Sequence, residues 1–300
     1  MNAIVNPTAK PVQASFPVRR MGFKFQDVPR YWAGNDAGIT HFLTSLSVLF
    51  PEGEGFFVDS VRAVRNHPEL LADQAMQKEI SAFIGQEAMH SKEHEAFNAS
   101  AKLYGYEVEK MERSTKTVIT SITRLFQPFV KKEFIDLAGT CALEHFTATI
   151  AAQLLRRHDI QDLMQDPTML QLWLWHAVEE NEHKAVCYDV YQRIYGKNVA
   201  TYAMRATAMA AAMVVLFFVQ NYFMFRLMKQ DGKAAPRHWL CAERTLYGPK
   251  GFISQIIPEL LDYFRPGFHP NDHDTVALLA KWTHQLGLND PAYSPARKAA

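Results

Sequence analysis

The chain has 300 residues, nearly half of them apolar, enough to bury a substantial core. Its net charge is +1, with no basic block and no interleaving of arginine with aromatics, which argues against a nucleic-acid partner. Cysteines at 141, 187 and 241 form no CxxC pair or disulfide framework, and MNAIVNPTAKPVQASFPVRR lacks the apolar core of a secretory signal, so a cytoplasmic location is expected. In chain order, residues 1–36 carry Pro7, Pro11 and Pro17 and read as a flexible or extended arm. Four amphipathic helices follow, with seams at the spacing of one helix face. The first runs Leu43, Leu46, Phe50, Glu54, Phe57, Val61, with Pro51 kinking it or opening a turn just before Glu54. The second runs Met76, Ile80, Phe83, Glu87, His90, His94, Phe97, and the third Phe134, Leu137, Cys141, Glu144, Ala148. The fourth runs Met169, Leu172, His176, Glu180, His183, Cys187, Val190, Ile194. LYGYEVEK and RRHDIQDLMQDPT read as connections, and a fifth, apolar helix spans about 199–229. The expected organisation is all-α, with a helical bundle over 37–229 and a helical extension over 230–300.

Each seam is interrupted by a glutamate, and two of them carry the same device, Glu87-x-x-His90 and Glu180-x-x-His183. Glu54 lies 33 residues before Glu87, and Glu144 lies 36 before Glu180. Residues three apart on a helix share a face, so a carboxylate and an imidazole can grip one ion together. An antiparallel neighbour about 35 residues away brings its own carboxylate to similar depth, given helices of about 15 residues and a short loop. Two such hairpins facing each other assemble four carboxylates and two imidazoles, the ligand set of a dinuclear centre in a four-helix bundle. Four buried carboxylates without cations would each cost several kcal/mol in desolvation and would repel one another. The expected metal ligands are therefore Glu54, Glu87, His90, Glu144, Glu180 and His183, holding two iron ions, with manganese the alternative.

Neighbouring residues compete for these roles. Glu182 is rotated off the fourth seam and Glu52 off the first. His94 and His176 share the seams as extra ligands, as groups orienting the primary ones, or as hydrogen-bonded core histidines. His145 points about 100° away from Glu144 and reads as structural, and Cys141 and Cys187 as packing. In the tail, His269 and His273 with Asp272 and Asp274 form either a polar turn capping a helix or a second metal site, the turn being favoured.

FPEGEGFFVDSVR, FIGQEAMHSKEHEAFN, ALEHFTA, WHAVEENEHKAVCYDVY and YFRPGFHPNDHD together resemble the bacterial family labelled predicted metal-dependent hydrolases, which is similar to the ferritin-like superfamily. EENEH also resembles the iron-binding run of the soluble acyl-carrier desaturases, which implies iron ligation by Glu180 and His183. The resemblance implies a ferritin-like fold and oxygen-activating di-iron chemistry. The expected function is dioxygen activation for oxidation of an organic, apolar substrate, with an electron donor as partner. The alternatives are a metal-dependent hydrolase using metal-generated hydroxide and a non-catalytic iron-binding or oxygen-sensing bundle. Residues 206–225 carry no formal charge, which predicts burial against the bundle, a homodimer face or a peripheral membrane contact.

Overall fold

The computed structural model describes residues 14–289, and among them the fold is all-α, with no strand beyond an isolated bridge between Ala33 and Met164. The helices are α1 (Ala37–Val64), α2 (Pro68–Leu71), α3 (Gln74–Ala101), α4 (Val108–Phe126), α5 (Lys132–Arg156), α6 (His158–Gln161), α7 (Pro167–His183), α8 (Val186–Tyr195), α9 (Val199–Gln230), α10 (Pro236–Tyr247), α11 (Ile257–Asp262) and α12 (Val276–Gln285). Several start on a side-chain cap that satisfies an otherwise orphaned backbone N–H. Asp36, Asp73 and Asp166 accept from Ile39, Met76 and Met169 at 2.9, 3.0 and 2.9 Å. Asn198 forms a reciprocal capping box with Thr201 at the start of α9.

Helices α1 and α3 pair antiparallel, since Ser47 bonds Asn98 near one end and Ser91 bonds Glu54 one layer along. Helices α5 and α7 pair the same way: Asn181 bonds the Ala148 carbonyl, while His183 faces Glu144. Helix α9 covers α1 and α5, and α4 packs on α1. The four metal-seam glutamates thus sit on α1, α3, α5 and α7, each nearly inaccessible to solvent.

Three expectations require correction. Residues 14–36 are not a flexible arm but a strap packed into the core through Phe16, Met21, Phe23, Phe25, Val28 and Trp32; residues 1–13 lie outside the described residues. Apolar burial holds this strap, and the buried Glu93 carboxylate accepts from the N–H groups of Gly22 and Phe23 at 2.8 and 3.0 Å. The strap passes so close to α3 that a Cβ at Gly85 would lie 2.6 Å from Val18. Second, α1 runs unbroken through Pro51 rather than opening a turn there. A proline cannot donate to the carbonyl four residues earlier, which is that of Ser47; Asn98 Nδ2 supplies the missing bond at 3.2 Å. Third, the fourth seam is not one helix. It breaks after His183, where the Lys184 ammonium turns away to the His273 carbonyl and the Thr275 hydroxyl.

Helix α9 is two-faced. Arg205, Met209, Ala212, Gln220, Phe223 and Met224 are buried, whereas Val214, Phe217, Phe218, Tyr222 and Phe225 are exposed. It is long and apolar enough to cross a membrane, yet much of its other face covers α1 and α5.

Candidate metal centre

Four helices bring the six expected residues together. Three groups of side chains, Glu54–His90–His176, Glu87–Glu144–His183 and Glu87–His90–Glu180, each offer ligand atoms within 4.8 Å of one another. The groups interlock through Glu87 and His90, so they form one site. Glu54 Oε1, both oxygens of Glu87 and of Glu144, Glu180 Oε2, His90 Nδ1 and His183 Nε2 are buried and lack a hydrogen-bond partner. His183 Nε2 lies 3.0 Å from Glu87, 3.4 Å from Glu144 and 3.7 Å from Glu180 without aligning on any of them. Atoms so placed point at a common space rather than at each other. Unpaired buried polar atoms are rare because each costs its full desolvation penalty. Four carboxylates also match the charge of two divalent ions. The donor set therefore fits metal.

The outward nitrogens of the two histidines are held in a reciprocal pattern. His90 Nε2 bonds Glu179 on α7 at 3.1 Å, and His183 Nδ1 bonds Gln86 on α3 at 2.8 Å. Gln86 donates to Pro17 O and to Glu182, both at 2.9 Å, so its oxygen is the acceptor facing His183. Arg19, on the strap, joins the two halves. Its guanidinium donates to Glu179 at 2.9 Å and to both oxygens of Glu182 at 2.7 Å. Carboxylate or amide partners of this kind fix the tautomer and aim of a metal-binding imidazole.

The electrostatics of the metal-free site follow from this crowding. Burial pushes Glu54 well up, despite opposing help from His90, and pushes Glu144 to about 8 with repulsion from Glu87 adding to it. Burial acts the same way on Glu180, but His176, His183 and His90 overcome it and hold that carboxyl at about 2. His90 is raised to about 10 against its burial by the Glu179 and Glu87 carboxylates. His94 and His176 are lowered by burial and by neighbouring imidazoles.

His176 lies nearer the centre than its sequence position settles, with Nε2 at 2.9 Å from Glu180 and 3.7 Å from Glu54. His94 stands one step back, bonded to His176 Nδ1 at 2.7 Å. Glu52 faces Lys116 at 3.6 Å, away from the site, and Glu182 faces Arg19. His145 bonds the Glu259 carbonyl at 3.0 Å. His269 caps a single turn at Pro270–Asp272 and pairs with Asp189, while His273 pairs with Asp262; among the described residues neither joins a metal-competent group. Arg19, Gln86 and Glu179 are the site residues that sequence reasoning missed. A signal existed: both Gln86 and Glu179 directly precede a ligand-type glutamate at equivalent positions of the two repeats.

A cavity of about 890 Å³ adjoins the centre. Its walls come mainly from α1, α4, α5 and α9, through side chains such as Phe50, Phe56, Leu143, Ile150 and Phe217. Among the described residues, His176 and Glu180 are the only imidazole and carboxylate in its lining. The cavity therefore reaches the metal-facing side chains while remaining otherwise almost wholly apolar.

The pattern of the family described as predicted metal-dependent hydrolases matches residues 17–274. The chain belongs to that family. The matched region contains every residue of the centre, Arg19 included. No curated protein and no solved structure matches the chain.

Proposed function

We propose that this member of the family is a dinuclear metal enzyme hydrolysing a substrate with an apolar portion. The observation that carries the proposal is the convergence of eight unpartnered, buried ligand atoms from Glu54, Glu87, His90, Glu144, Glu180 and His183. The family description supports hydrolysis as the reaction class. Iron is the proposed metal and manganese the alternative, because carboxylate and imidazole donors without thiolate suit either. Bound divalent ions would supply Lewis acidity and lower the pKa of water. The ligand order also supports a ferritin-like relationship for the bundle.

The chain's own residues contribute position and exclusion. Glu179 and Gln86 set the inward lone pairs of His90 and His183. The apolar cavity would seat the hydrophobic part of the substrate and exclude bulk water, leaving the reacting group beside Glu180 and His176. One observation favours a second reading, dioxygen-dependent oxidation of an apolar substrate. Among the described residues the cavity lining has no amine, and no carboxylate or imidazole beyond His176 and Glu180, to act as a general acid for a leaving group.

Turnover decides between them. Metal-loaded protein should hydrolyse medium- and long-chain acyl esters, thioesters or amides without oxygen, and should lose that activity on chelation. Substrate-dependent oxygen consumption with a reductant, and no anaerobic turnover, would replace hydrolysis by the second reading. Iron uptake with neither activity would make the bundle non-catalytic.

A further inference from the structure

The hydrogen bonds behind His176 have a direction, and Pro51 sets it. Because Pro51 has no N–H, the Ser47 carbonyl inside α1 needs an outside donor. Asn98 Nδ2 provides it at 3.2 Å and also donates to Glu112 Oε1 at 3.0 Å. With both amide protons committed, Asn98 Oδ1 is the acceptor, and the Ser47 hydroxyl donates to it at 2.8 Å. A hydroxyl has a single proton. Towards His94 Nδ1, 2.8 Å away, Ser47 can therefore only accept. Neutral His94 then carries its proton on Nδ1 and presents a lone pair from Nε2. That lone pair faces His176 Nδ1 at 2.7 Å, so His176 is the donor and its Nε2 is left bare.

Bare Nε2 faces the Glu180 carboxylate at 2.9 Å and Glu54 at 3.7 Å. These three acceptors, gathered in the protein interior, repel one another unless a proton or a metal ion lies among them. Phe50 packs edge-on against both rings, at 4.7 and 4.8 Å between centroids.

We propose that His176 is a third imidazole ligand of the centre, and that Asn98, Ser47 and His94 are positioning residues that fix its lone pair inward. This deepens the proposed metal centre and rests on it. Two helices are thereby coupled: the backbone hydrogen bond that Pro51 cannot make within α1 sets the tautomer of a ligand on α7.

Cobalt(II), loaded anaerobically into the full chain, is the probe. X-ray absorption should count three imidazole donors per chain across two ions, falling to two in His176→Ala. Ser47→Ala removes the acceptor for His94 Nδ1 and should weaken binding of one ion about 10–100-fold, the range for loss of a ligand's hydrogen-bond partner. Ser47→Thr keeps the hydroxyl and should restore wild-type affinity. Two imidazoles in the wild type with an unchanged His176→Ala spectrum would overturn the ligand assignment while leaving the six-residue centre standing. Wild-type affinity in Ser47→Ala would overturn the positioning chain. Failure of the wild type to bind two ions would instead defeat the proposed function itself.

Discussion

Replacing Arg19 by methionine tests whether the N-terminal strap is part of the metal centre. The guanidinium is 8 % exposed and faces Glu179, which is fully buried, and Glu182, which is 11 % exposed. Its loss leaves Glu179 with only His90 as a partner and Glu182 with only Gln86. Removing one partner of a buried ion pair destabilises by about 3–5 kcal/mol. Glu182 can reach some water, which places the expected cost near the lower end, about 3 kcal/mol. The same loss frees Glu179 and Gln86, so metal affinity should fall about 10–100-fold, or about 1.4–2.7 kcal/mol. Urea denaturation of the metal-free protein reads the first quantity, and cobalt(II) competition against a chelator reads the second. Arg19→Lys should be intermediate, since an ammonium keeps the charge but cannot bridge two carboxylates as a planar fork does. Adding Glu182→Gln to Arg19→Met should recover part of the stability by removing one unpaired charge. An Arg19→Met protein within about 0.5 kcal/mol of wild type and with unchanged metal affinity would refute the reasoning.

Metal binding should release protons. In the metal-free site Glu144 sits at about 8 and His90 at about 10, so both hold protons at neutral pH that metal must displace. Apparent affinity should therefore climb with pH, and calorimetry in buffers of different ionisation enthalpy should report at least one proton released at pH 7; pH-independent affinity would contradict this. The raised His90 favours the metal-free fold below about pH 6.5 and loses that contribution as pH rises towards 10, while the raised Glu144 loses its own between about pH 4.5 and 8, so stability should fall with pH across both windows, a trend measurable by denaturation. Leu143→Trp, projecting into the cavity, should lower turnover of long-chain substrates at least tenfold with two metals still bound; a loss of metal would show that the cavity and centre are not separable. Hydrogen exchange should be slower at the α9 residues buried against α1 and α5 than on the face bearing Phe217 and Phe218, unless phospholipid vesicles protect that face; equal protection of both faces in the free protein would indicate a second subunit.

The parts of this molecule legible in its sequence are those with a local period. Glu54, Glu87, Glu144 and Glu180 were readable because each interrupts an apolar seam, and α9 because its charge-free run is long and bounded by Arg205 and Arg226. The strap obscured itself with prolines, although Met21, Phe23 and Phe25 alternate with Gly22 and Lys24 and are the buried set. Its pairing of Arg19 with Glu179 spans 160 residues, and no local pattern encodes a contact of that range. The break after His183 was hidden because Cys187 and Val190 continue the seam; at the break the Lys184 side chain bonds His273 and Thr275, contacts 89 and 91 residues away that no local pattern encodes. His176 was visible as a seam residue, but its role depends on proton directions that only the Asn98, Ser47 and His94 contacts define.

The central claim is a dinuclear centre, and metal content tests it most directly. Protein from iron-replete cells, or metal-free protein reloaded anaerobically, should hold close to two divalent ions per chain by elemental analysis. The double substitution Glu87→Ala with Glu180→Ala should abolish that binding, because these two carboxylates belong to all but one of the metal-competent groups. One ion per chain at saturation, or two ions retained by the double variant, would contradict the account.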